Sequence, residues 1–237
     1  MGDDGWSGRL WFGRDWWCFE GASGDSRPHS HLCAQVVAGL DGPARVATER
    51  GIVEAPVVVV AAGVRHRLLN SERLRVIYPR PLGRLARRWN LDGGAEPVTA
   101  APATWTPRLT GDRLDEALDA EAALGEARSI DPRLRTVLDA LDGDIDLARL
   151  AERVGLSTAR LRALAQAELG APLAHWRLWL RLETAMLSLR DGESLAAAAV
   201  AAGFVDQPHL NRAMRRFFGV TPLTAAKLLE RERRLSR

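Results

Sequence analysis

Gly203–Pro222 reads GFVDQPHLNRAMRRFFGVTP, and its polar and apolar residues separate at the helical repeat. Leu210, Met214, Phe217 and Phe218 recur at intervals of three and four, which predicts one apolar face on a helix. Gln207, His209, Asn211 and Arg212 sit near the start of that helix, with Arg215 and Arg216 a turn further on. Asp206 can accept from the first free backbone amides, while Gly219 and Thr221-Pro222 stop the helix. The residues before it, Leu195 to Ala202, form an apolar helix that ends at Gly203. Two helices around a tight glycine turn predict a helix-turn-helix unit.

The same pattern occurs earlier. LARLAERVGLSTARL around Gly155 and LAAAAVAAGFVDQPHL around Gly203 both run apolar helix, glycine, one hydrophobic residue, turn and capped helix, about 48 residues apart. Ser157 caps the second helix of the first unit, which runs from Thr158 to Leu169. Between the units, APLAHWRLWLRLETAMLSLRDG predicts a stiff helix of roughly 16 residues and about 24 Å, with Leu178, Leu182, Ala185 and Leu189 inward.

This duplicated unit resembles the DNA-binding domain of the AraC/XylS family of bacterial transcription regulators. Gly203, Phe204, Asp206, Gln207, His209, Arg212, Arg216, Gly219, Thr221 and Pro222 fit the family's second-unit signature in register. Leu210 and Met214 replace two Phe, and Arg215 replaces Lys. Upstream, Leu156, Ser157, Leu161, Gly170, Pro172, Arg181, Leu182 and Ala185 fit as well, so the likeness covers about 100 residues.

The resemblance implies that the second helix of each unit enters the major groove. Arg212, Gln207, His209 and Asn211 would read bases, since Arg pairs with guanine and Gln or Asn with adenine. Arg215 and Arg216 would hold phosphates. In the first unit the outward residues are Ala159, Arg160, Arg162, Ala163 and Gln166, and two small side chains there predict weaker reading of the first half-site. A single helical Arg is as consistent with a solvated surface charge, so the weight rests on the register across both units. Trp176, Trp179, Phe204, Phe217 and Phe218 read as core.

The N-terminal 90 residues differ in kind. Short β-branched runs such as Val57 to Val60, bounded by Gly and Pro, predict an all-β unit. GDSRPHSHLCAQVVAGLDG and AAGVRHRLLN resemble the two cupin motifs, with His29, His31, Gln35 and His66 at the positions that ligate metal in metal-binding cupins. Gln35 stands where Glu is usual and Ala61 where Pro is usual. On an extended strand His29, His31, Cys33 and Gln35 face one side. Three readings stay open: a divalent-metal site on His29, His31 and His66, a small-molecule pocket without metal, or hydrogen-bonded scaffold. Trp11, Trp16, Trp17 and Trp89 line a pocket or pack a core.

The fold class expected is therefore multidomain α+β. A cupin-like effector-sensing β-barrel spans 1–90, and a linker spans 91–130. An all-α domain of two helix-turn-helix units joined by a long helix spans 131–237. Leu114, Ala117, Leu118, Ala122 and Leu124 in the linker predict a helix that either pairs subunits or packs on its own barrel.

Bulk properties agree with these assignments. The chain has 237 residues, 46% hydrophobic and 27% charged, which is globular composition. From Asp131 onward 17 basic residues face 13 acidic ones, a surplus of four out of the chain's +3 overall, so the basic half is the C-terminal one. Cys18 and Cys33 are too few for a disulfide framework, and no window reaches the ~20 apolar residues of a membrane helix.

The partners expected are double-stranded operator or promoter DNA, an unspecified small-molecule effector, a second copy of the chain in a homodimer and RNA polymerase, with no membrane. The location expected is the cytoplasm. No residue is assigned a catalytic role and the chain is read as a non-enzyme. The only cofactor considered is a divalent metal in the barrel. Two rivals are a metal-dependent cupin enzyme with an appended DNA-binding domain and a DNA-binding protein whose N-terminal domain only oligomerises.

Overall fold

The computed structural model describes residues 5–24, 26–91, 97–141 and 145–235, with side chains as far as residue 229. The chain divides into two compact units: residues up to 128 together with those from 214 on, and residues 129–213.

Among its described residues the first unit has nine strands: β1 (Ser7–Phe12), β2 (Trp16–Ser23), β3 (Gln35–Gly39), β4 (Ala44–Thr48), β5 (Gly51–Ala55), β6 (Val57–Val60), β7 (His66–Leu68), β8 (Ser71–Pro79) and β9 (Val98–Ala100). They pair antiparallel in a six-stranded sheet, β1-β2-β8-β3-β6-β9, and a three-stranded sheet, β5-β4-β7. The closed barrel expected from the cupin-like motifs is therefore replaced by two open antiparallel sheets. The sheet domain also continues past residue 90, because β9 pairs with β6, Val58 opposite Ala100 and Val60 opposite Val98.

Three short helices cover the larger sheet: α1 (Arg84–Arg88), α2 (Thr106–Thr110) and α3 (Leu114–Ala123), with a 3-10 turn at Ala103–Trp105. The core joins Trp11, Trp16, Val36, Val57 and Ile77 of the sheet to Leu85, Leu109, Leu114, Leu118 and Ala122 of the helices. Trp11 Nε1 donates to Asp115 Oδ1 and Trp16 Nε1 to Asp119 Oδ1, each at 2.9 Å. Asp115 and Asp119 are four apart, so two sheet tryptophans grip one face of α3 at successive turns. The apolar face of α3 is thus covered by its own sheet. A buried ion pair fixes the next contact. Arg75 Nε donates to Glu20 Oε2 at 2.8 Å, and its Nη1 donates to the carbonyls of Leu109 and Gly111 at 2.9 and 2.6 Å. Those carbonyls are left open by the end of α2, so one guanidinium satisfies both carboxylate and helix terminus.

The second unit contains α4 (Pro132–Asp139), α5 (Leu147–Arg153), α6 (Thr158–Leu169), α7 (Leu173–Arg190), α8 (Leu195–Ala201) and the start of α9 (Gln207–Phe218). Side-chain caps set the helix starts: Asp131 accepts from Arg133 N at 2.8 Å, Ser157 from Arg160 N at 3.2 Å and Ser194 from Ala197 N at 3.1 Å. Buried along α7 are Leu173, Trp176, Trp179, Leu182, Ala185, Met186 and Leu189, whereas Leu178 is only half-buried. Arg177 donates to the carbonyls of Leu141 and Ile145 at 3.1 and 2.7 Å. The last turn of α9 and α10 (Pro222–Leu235) belong to the first unit, where α10 packs on β1. Among the described residues no helix is long and apolar enough to cross a membrane.

Candidate nucleic-acid interface and histidine cluster

The two glycine turns place α6 and α9 as the second helices of their units. On α6 the side chains of Ala159, Arg160, Arg162, Ala163 and Gln166 are exposed, while Leu161 and Ala165 are buried. On α9 Arg212, Arg215 and Arg216 are exposed, and Gln207, His209 and Asn211 are half-buried. Asp206 Oδ1 accepts from His209 N at 2.7 Å, which caps α9 where the sequence predicts. The His209 ring meets the buried Phe204 ring edge-on, centroids 5.2 Å apart, so this side chain also braces the turn. Among the described residues none of Arg160, Arg162, Arg212, Arg215 or Arg216 is held in an ion pair. Arg75, in contrast, is committed to Glu20. Unpaired guanidiniums on a helix face can reach phosphates or the edge of guanine without first breaking an internal bond.

Leu210, Met214, Phe217 and Phe218 are all buried, as the helical spacing requires. Their partners are not all helical. Phe218 lies among Trp17, Tyr78 and His31, centroids 6.1, 5.7 and 6.4 Å away. Nothing in the local pattern of α9 announces this aromatic seat, because its other members are distant in sequence.

That seat adjoins the second site. His29 and His66 form an isolated bridge with reciprocal backbone hydrogen bonds of 2.9 Å, and the ring centroids lie 4.5 Å apart. The His31 centroid is 5.1 Å from that of His66 and 5.5 Å from that of His29. One nitrogen from each of the three rings falls within 4.8 Å of the others. All three residues are buried, with exposures of 1, 3 and 2% for His29, His31 and His66. The continuous strand expected over His29 to Gln35 is absent, since β3 begins only at Gln35, but the residues converge through the bridge.

Each ring is oriented by a backbone carbonyl two residues away. His29 Nδ1 faces Arg27 O at 2.8 Å, His31 Nδ1 faces Cys33 O at 2.7 Å and His66 Nδ1 faces Val64 O at 2.9 Å. A carbonyl only accepts, so neutral rings at His29 and His31 carry their proton on Nδ1 and their lone pair on Nε2. The Nε2 atoms of His29 and His31 are buried with no hydrogen-bond partner among the described residues. His66 differs: its Nε2 lies 2.6 Å from Gln35 Oε1, which also only accepts, so either of its ring nitrogens can be the donor, and Gln35 Nε2 donates to the Tyr78 hydroxyl at 3.0 Å.

Burial, reinforced by the neighbouring imidazoles, pushes His31 well below the usual histidine range and His29 down to about 4; burial also lowers His66. Three imidazoles, with one nitrogen of each within 4.8 Å of the others and the Nε2 atoms of His29 and His31 unpartnered among the described residues, have the chemistry of a divalent first-row metal site, although His66 Nε2 faces Gln35 Oε1 here. Gln35 supplies a neutral amide where a carboxylate would balance the ion's charge. Trp11 and Trp16 are core residues, and Trp89 stacks on Trp105 at 4.5 Å away from the cluster.

Residues 150–227 match the sequence profile described as a helix-turn-helix domain. No curated protein matches the chain by sequence. Among solved structures, an apo form of ToxT from Vibrio cholerae strain SCE256 is similar in fold, with a TM-score of 0.63 and 9% identity over 94% of this chain and 100% of that one. Fatty-acid-bound ToxT from the same strain gives 0.60 and 10%, covering 91% of this chain and 96% of that one. ToxT from strain O395 gives 0.59 and 12%, covering 92% and 99%. At such identities the likeness shows the fold. Residues 150–227 thus carry a helix-turn-helix domain, in a chain similar in fold to ToxT.

Proposed function

We propose that the protein is a sequence-specific, DNA-binding transcriptional regulator whose sheet domain holds an effector site at His29, His31 and His66. The observation that carries the DNA reading is a duplicated helix-turn-helix whose second helices expose five unpaired arginines beside Gln166, Gln207 and Asn211. Arg212 with Gln207 and Asn211 reads base edges, and Arg215 and Arg216 anchor phosphates. On α6, Arg160, Arg162 and Gln166 act alike, with less base contact at Ala159 and Ala163. The regulator works in the cytoplasm as a homodimer on operator DNA and acts through RNA polymerase.

The effector class the cluster favours is a divalent transition metal held by the imidazoles of His29, His31 and His66. ToxT has been crystallised with an unsaturated fatty acid. A carboxylate ligand, however, needs a cation, and the buried residues described around this cluster are neutral: three imidazoles, Gln35 and Cys33, with half-buried Tyr78 beside them. The metal here serves as signal and not as catalyst. When bound it would supply Lewis-acid attraction for the lone pairs, while the chain supplies ring orientation and exclusion of water.

Selection of genomic fragments by the purified protein, with and without added Zn2+, tests this function. One enriched sequence class, with occupancy that changes on chelation, is expected. No enrichment over random fragments would refute DNA recognition. A metal-loaded protein that turned over a small substrate would favour the enzyme reading instead.

A further inference from the structure

Phe218 and Gly219 end α9, and both lie against the histidine cluster. Phe218 is stacked on the His31 ring, with an interplanar angle of 27°, and stands perpendicular to Tyr78, the partner of Gln35. Gly219 takes φ +72, and its amide donates to Arg215 O at 3.2 Å, closing the helix. A Cβ added there would come within 2.9 Å of His29 Nδ1 and 3.2 Å of Arg27 O. Those two atoms form the hydrogen bond that aims the His29 lone pair into the cluster.

We propose that Phe218 and Gly219 are the lid of the histidine site, so that metal occupancy of the site and the position of α9 are coupled. This rests on the metal reading above. Two nitrogens on one zinc, each at ~2.0–2.1 Å, are at most about 4.2 Å apart. A triad spread to 4.8 Å must close before it can share an ion. Gly219 and Phe218 are seated on two of the three rings that must close, those of His29 and His31. Coupling of this kind is reciprocal: if metal shifts DNA affinity, DNA shifts metal affinity by the same factor.

Gly155 provides an internal control. It also has positive φ, +67, but a Cβ there would meet nothing within 4 Å. Gly155→Ala therefore imposes similar backbone strain without touching any ring, whereas Gly219→Ala adds a methyl against the His29 hydrogen bond.

The test is a titration of the full chain with Co2+, followed by its visible absorption, for wild type, Gly219→Ala, Gly155→Ala, Phe218→Leu and His31→Ala. Wild type and Gly155→Ala should bind alike and His31→Ala should not bind. Gly219→Ala should lose about 10- to 100-fold in affinity, the usual effect of disturbing a second-shell contact. Phe218→Leu keeps an apolar lid and should move affinity in the same direction by less. Equal Co2+ affinity for Gly219→Ala and wild type would overturn the lid while leaving the metal site standing. Wild type that takes up no Co2+ would overturn both, and Gly155→Ala as weak as Gly219→Ala would assign the loss to backbone strain and so overturn the lid. A Gly219→Ala chain that fails to fold leaves Phe218→Leu to decide, with wild-type affinity as the contrary result.

Discussion

Under the proposed function, two arginines a turn apart on α9 take separate parts of DNA recognition. Arg212 lies near the capped end of the helix and Arg216 beyond it, both exposed. Arg212→Ala should flatten preference at one base position by roughly 1–3 kcal/mol. Arg216→Ala should weaken all sequences alike and reduce the log-log salt slope by up to ~0.9. Anisotropy titrations of matched and mismatched duplexes over a salt series distinguish these outcomes; identical losses from both would contradict the division of roles.

Glu20 supplies a pH-dependent term. Burial opposes its ionisation, but hydrogen bonds from Arg73 and Arg75 prevail and hold its pKa at about 2, below the usual 4.5. Its folded value is depressed, so its stabilisation is in place above pH ~4.5 and is lost as pH falls towards 2. Chemical denaturation across that window should show stability dropping on acidification, with a shallower drop in Glu20→Gln. An unchanged slope would dismiss the ion pair as its source.

The linker is where element-scale reasoning decides between readings. The apolar spacing of α3 suits either a partner subunit or the chain's own sheet, and Leu114, Leu118 and Ala122 in fact sit in the core of the sheet domain. Leu118 is fully buried, so Leu118→Ala should cost about 2–5 kcal/mol in thermal or chemical unfolding. A loss of only a few tenths would place that face elsewhere. In the second unit, Ser157→Ala removes the cap on Arg160 N and should cost ~1 kcal/mol.

Legibility in the sequence followed the same line. Helices α6 and α9 were readable because caps, period and glycine stops are local; α6 begins and ends at the predicted Thr158 and Leu169. The histidines were readable as a set, since two short motifs carry them. Unreadable were the contacts that join distant segments: the tryptophan grip on α3, the bridge of Arg75 to the end of α2 and the seat of Phe218. Each depends on pairing across 30 or more positions, which no periodicity encodes. The open sheets also escaped, because motif spacing specifies turns and not whether the first and last strands meet.

At the scale of the whole molecule, a sheet domain with a buried histidine cluster and a duplicated helix-turn-helix share one chain, and α9 ends beside the histidines. The claim on which the function depends is that both second helices engage one duplex. Hydroxyl-radical footprinting of the full-length protein on a selected genomic fragment tests it most directly. Two protected segments on one side of the duplex, about 10 base pairs apart as for successive major grooves, are predicted. Protection of a single groove, or uniform protection without sequence preference, would contradict it.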